Sequence, residues 1–125
     1  MRKILVFSSV VEFATGLALM ADPSIVARLL LGTVVSGPGI VVGRCFGIAL
    51  LGLALASWPA GPVPGRRSER FAGMLIYNAL IAVYLAALGA GGRANGVLLW
   101  PAAALHCAVA LALAWTGRAG RQAEI

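Results

Sequence analysis

Four stretches of apolar residues, 4–21, 38–58, 71–90 and 97–115, take up most of this chain and constrain it more than any other feature. A helix needs about 20 mostly apolar residues to cross about 30 Å of hydrocarbon, and each stretch is of that order. Within hydrocarbon the backbone must satisfy its own hydrogen bonds, which favours helices for segments of this length. The chain has only 125 residues, so four crossings leave little over. Composition agrees: 61% of residues are hydrophobic and 11% charged, against about 45–50% and about 25% in soluble domains. Such hydrophobicity excludes disorder, and two cysteines cannot build a disulfide scaffold. The sequence predicts an all-α, antiparallel four-helix transmembrane bundle, a single domain over 1–125.

The connections differ in kind. Residues 59–70, PAGPVPGRRSER, form a proline- and glycine-rich basic loop through which no helix continues. Residues 89–96, GAGGRANG, make a tight turn. After the first span, Asp22-Pro23 is an N-cap and first-turn pair and Gly32 a stop signal. The segment between, about 23–31, is too short to cross and puts Ile25, Val26, Leu29 and Leu30 opposite Arg28, as in a helix lying at the interface over the bundle mouth. The alternative is that it extends the first span past the proline. The start of the chain also has the outline of a signal peptide, but Glu12 interrupts its apolar stretch.

Orientation follows from the basic residues. Arg2, Lys3, Arg66, Arg67, Arg70, Arg118 and Arg121 fall on one side, Arg28 and Arg93 on the other. Positive charge stays inside, so both termini, the 59–70 loop and a 116–125 tail are expected in the cytoplasm of a bacterial inner-membrane protein. Trp58 and Trp115 then mark the inner interface and Trp100 the outer one. The net charge of +6 suits anionic headgroups. The partner is the lipid bilayer, and no soluble basic surface exists to hold nucleic acid.

Between helices in lipid, close approach depends on small residues. Gly39, Gly43 and Gly47 form one stripe of the second span, with Ala82/Ala86/Ala90 and Ala104/Ala108/Ala112 at the same spacing in the third and fourth. The partner of the glycine stripe is another span of the same chain, a second copy or a partner membrane subunit. Pro101 falls in the first turns of the fourth span, where it costs few hydrogen bonds.

Ionisable groups inside spans are costly and mark candidate functional sites. Each span contributes one ionisable or amide side chain: Glu12, Arg44, Asn78 and His106. Their depths, counted from the cytoplasmic side at about 1.5 Å per residue, run from about 10 to about 21 Å. Ser8, Glu12, Thr15 and Gly16 share a face of the first span, and Tyr77 and Tyr84 share one beside Asn78. These positions predict a buried polar cluster centred on a Glu12–Arg44 pair, with His106, Asn78 and a tyrosine as hydrogen-bond partners. The cluster either fixes helix register or lines a small-molecule or proton site.

No metal, cofactor or catalytic motif emerges. Cys45 and Cys107 lie within spans, form no C-x-x-C pair, and are expected to be buried free thiols acting as small apolar residues. With His106 they would give three ligands, but positions 106 and 107 diverge by about 100° on a helix.

Two family resemblances follow. GRCFGIALLGLAL (43–55), DPSIVARLLLG (22–32), YNALIAVYLAALG (77–89) and GVLLWPAAALH (96–106) resemble small bacterial DoxX-like four-helix membrane proteins, which implies the bundle and assigns no chemistry. VVEFATG (10–16) resembles the first span of the small multidrug resistance family, whose glutamate binds protons and cationic drugs in turn; that resemblance implies a proton-coupled transporter working through Glu12. Arg44 and the basic 59–70 loop depart from that pattern.

Overall fold

Asp22 and Pro23 make the first break in the helical run. Asp22 has extended dihedrals (φ −148°, ψ 92°), and its carboxylate accepts from the Ser24 and Ile25 backbone N–H groups. Pro23 then sits where the missing N–H costs nothing. The first helix, α1 (Arg2–Ala21), therefore ends, and α2 (Pro23–Leu31) starts as a separate element. Gly32, in the left-handed region at φ 79°, closes α2. In the computed structural model, residues 1–61 and 69–122 are described, without the side chains of 119–122. They comprise α1, α2, α3 (Pro38–Ser57), α4 (Glu69–Ala90) and α5 (Leu99–Gln122), with no strand among the described residues.

The fold is an all-α bundle in which α1, α3, α4 and α5 are each long and apolar enough to cross a membrane. The protein is a multi-pass membrane protein. Arg66 and Arg67 of the expected loop, and the side chain of Arg121, lie outside the described residues. The helix α5 continues past Trp115 to Gln122, where a tail was expected from 116. Hydropathy locates where a span leaves the hydrocarbon, and a helix need not stop there.

The four long helices form two pairs, α1 with α3 and α4 with α5, and the pairs meet each other less extensively. Backbone contact explains the first pairing. A Cβ on Gly47 would stand 2.8 Å from the Gly16 carbonyl oxygen, and one on Gly16 would stand 2.9 Å from that of Gly47. Only glycine at both positions lets α1 and α3 touch there. Gly43, four residues back, faces Pro23, while Gly39 faces its own Val35. The glycine stripe is thus applied to α1 and α2 of the same chain at two of its three positions.

At the end carrying the N-terminus, Leu5, Phe71, Met74, Val109 and Leu113 close α1, α4 and α5 around one apolar core. At the other end, Leu85, Leu99, Ala94 and Ala103 join α4 to α5, with Leu30 and Leu31 of α2 packed on them. Helix α2 bridges the two pairs. At its start, the Ser24 hydroxyl donates to the Val35 carbonyl (2.6 Å). At its end, the Leu31 and Leu29 carbonyls accept from the Asn95 (3.1 Å) and Leu98 (2.8 Å) N–H groups. Terminal carbonyls of a helix have no partner within it, and here the α4–α5 connection supplies two donors. That approach leaves no room at Gly96, where a Cβ would collide with Leu29 O and Leu30.

Candidate functional site

The polar residues of α1, α4 and α5 meet in one layer across the middle of the bundle. Glu12, Asn78 and Ser8 are each 1% exposed. Asn78 is the hub. Its amide nitrogen donates to the Met74 carbonyl (2.9 Å) and to Ser8 Oγ (3.1 Å), and its Oδ1 lies 2.8 Å from His106 Nδ1. The Met74 carbonyl can only accept, so the amide NH₂ must face it. Oδ1 therefore faces the imidazole, and His106 carries hydrogen on Nδ1 to donate to it. One backbone acceptor fixes the rotamer of an amide on α4, and through it the protonated nitrogen of a histidine on α5.

Beside the hub, the Tyr77 hydroxyl donates to Glu12 Oε2 (2.9 Å). The rings of Tyr77 and His106 pack edge to face with centroids 5.8 Å apart. Glu12 Oε1 is buried without a hydrogen-bond partner among the described residues and lies 3.9 Å from His106 Nδ1, beyond hydrogen-bond reach.

Arg44 corrects the expectation. It is exposed on α3, and Glu12 makes no ion pair with it among the described residues. Depth placed the two residues within reach; rotation separates them. The buried stripe of α3 is Gly47, Leu50, Ala54 and Ser57, and at about 100° per residue Arg44 points roughly a quarter turn away from its centre. Tyr84 is likewise outside the network: it is 61% exposed, while Tyr77 is bonded to Glu12. Cys45 and Cys107 are free thiols on exposed faces, where burial was expected; a face turned to lipid accepts a small apolar side chain as readily as a core does.

Above the polar layer, on the α2 side, the two helix pairs enclose a cavity of about 500 Å³. Glu12, Tyr77 and His106 belong to its wall, which is otherwise mostly apolar, with Leu50, Ile81 and Leu85 among its side chains. Val26, Leu29, Leu30 and Leu31 of α2 cover its far end. Phe46 of α3 and Tyr84 of α4 line the cavity and are also 44% and 61% exposed, so the space reaches the outer surface of the bundle between those helices. Nothing in the sequence announces this cavity, because apolar residues that line a space and apolar residues that fill one look alike. Ser9 is a buried polar residue that sequence reasoning also misses: it is fully buried and its Oγ has no hydrogen-bond partner among the described residues. Its position beside Ser8, on a helix otherwise apolar there, was the available signal.

Compared with known protein families, curated proteins and solved structures, the chain has no match.

Proposed function

We propose that this chain is a membrane-embedded binding protein for a small, mostly apolar molecule, acting by binding rather than by catalysis. One observation carries the reading: a cavity of about 500 Å³ has apolar walls and a polar floor of Glu12, Tyr77 and His106. Ligand sites are concave and mostly apolar, fall in the range of about 300–1,000 Å³, and hold a few convergent polar groups. A bundle that needed Asn78 and His106 only for register has no use for the space above them. The membrane is the bacterial inner membrane and both termini face the cytoplasm, on the strength of the basic residues at those ends. The DoxX-like resemblance accords with the bundle and adds no chemistry to it.

The test fills the cavity. Ala102 lies in its wall, and Ala102→Phe should abolish the rise in unfolding temperature that a lipophilic dye such as 1-pyrenebutanol gives the native protein in nanodiscs. An equal rise in the variant would defeat the reading.

A second reading, proton-coupled transport through Glu12, is favoured by one finding: no arginine neutralises that carboxyl among the described residues. It requires Glu12→Gln to fold normally and to lose proton-driven uptake of a cationic dye into vesicles. Uptake that survives the substitution rejects it.

A further inference from the structure

The floor of the cavity has spent its donors. The Tyr77 hydroxyl is given to Glu12, the His106 Nδ1–H to Asn78, the Asn78 amide to Ser8 and Met74, and the Thr15 hydroxyl to the Val11 carbonyl. With Nδ1 carrying the hydrogen, the other ring nitrogen of neutral His106 is an acceptor. Nε2 makes no hydrogen bond among the described residues, and it is not among the buried atoms left without one. His106 forms part of the cavity wall, and its side chain keeps 12% of its surface open. The carboxyl beside it is already engaged in this conformation: Glu12 Oε2 accepts from Tyr77, and Oε1 is buried away from the cavity.

We infer that the cavity takes an uncharged, membrane-dissolved molecule whose single polar end is a hydroxyl, donating to Nε2 of His106, with its apolar body along α4 and α2. The inference rests on the binding reading above and adds the chemistry of the ligand. Anions are refused: among the described residues no lysine or arginine lies in the cavity wall, and Glu12 does. A charged head would also pay for leaving water with few partners to replace it. The access route agrees with a lipid-soluble ligand. Phe46 and Tyr84 flank the opening at about 12 and about 9 Å along their helices from the α2 end, within the depth of the hydrocarbon, so the molecule arrives sideways from the membrane.

Four probes with one pyrenebutyl body test this: the alcohol, its methyl ether, the carboxylate and the primary amine. Each is titrated into the native protein in nanodiscs, and saturable energy transfer from tryptophan to pyrene reports binding. The alcohol should bind about tenfold more tightly than the ether, which accepts but cannot donate, and the carboxylate should show no saturable signal. Equal affinities of alcohol and ether would leave a binding cavity but overturn the donor requirement. An amine that outbinds the alcohol would overturn the uncharged ligand and move the anchor to Glu12. Absence of saturable transfer with all four would instead reject the binding reading itself. The double variant Asn78→Leu/His106→Phe removes the acceptor without orphaning the amide, and should bring the alcohol-to-ether ratio to about one; a ratio that stays near ten places the anchor elsewhere. The native series decides the matter even should the variant not fold.

Discussion

The imidazole of His106 and the amide of Asn78 share a 2.8 Å hydrogen bond whose polarity is set from outside the pair, by the carbonyl of Met74. Removing the hub should therefore cost more than one bond. Asn78→Leu leaves His106 Nδ1–H and Ser8 Oγ without their partner in a dry layer. An unmade buried bond costs about 1–3 kcal/mol, and a loss of that size is expected in denaturant unfolding in detergent. Ser8→Ala orphans a single Asn78 N–H and should cost about 1 kcal/mol, the low end of that range and less than the loss of the hub. Equal losses from the two would mean that Asn78 is no hub.

Arg44 carries a second expectation. With no Glu12–Arg44 pair to break, Arg44→Leu should shift stability by no more than about 0.5 kcal/mol, as for an exposed substitution. Its effect should add to that of Glu12→Gln, since the two groups share no partner. A coupling energy above about 1 kcal/mol in the double-mutant cycle would show that the side chains do meet.

Two glycines of α3 should behave oppositely. Gly47→Ala drives a Cβ to 2.8 Å from the Gly16 carbonyl oxygen and should destabilise by about 1–3 kcal/mol. Gly52 has nothing within 4 Å of its added Cβ, so Gly52→Ala should stabilise by about 0.5–1 kcal/mol through helix propensity. Thermal melts of both variants in one detergent give the comparison.

The attachment of α2 can be released at Gly96. An alanine there collides with the backbone of Leu29 and Leu30, and should break the bonds from the Asn95 and Leu98 N–H groups. Hydrogen exchange at those two amides should rise sharply, while that of Met74 and Asn78 in the middle of α4 stays slow. Pyrenebutanol binding should fall with it.

Topology is checked with the cysteines replaced. In a Cys45→Ala/Cys107→Ala background, a cysteine at Ser68 should react with an impermeant maleimide only from the cytoplasmic side, as the distribution of Arg2, Lys3, Arg70 and Arg118 requires. Labelling from the outside would invert the protein.

The elements were legible because their signals are local. Asp22-Pro23 and Gly32 bound a short helix in any context, and four apolar runs of the right length can only be long helices in lipid. Depth was legible too, since residues count off at a fixed rise, and it placed Glu12, Asn78 and His106 in one layer. Azimuth was not. Which way α3 turns depends on Gly16 and Gly47 meeting backbone to backbone, a contact between two chain segments that neither announces alone, and this is what carried Arg44 out of the cluster. Tyr77 and Tyr84, seven residues apart, share a stripe and differ in depth: only the first is level with Glu12. The cavity is a property of spacing between helices, and no single residue encodes it.

The double fastening of α2 has a consequence for how the protein is made. During insertion, α1, α2 and α3 emerge before either donor on residues 95 and 98 exists, so the Leu29 and Leu31 carbonyls must wait, solvated at the interface, until the last helix arrives. The cavity is therefore the final thing to come into being. A nascent chain stalled before α5 would hold one finished helix pair and a loose flap, and a defect confined to the 91–98 connection would yield a correctly threaded protein whose cavity lacks its cover.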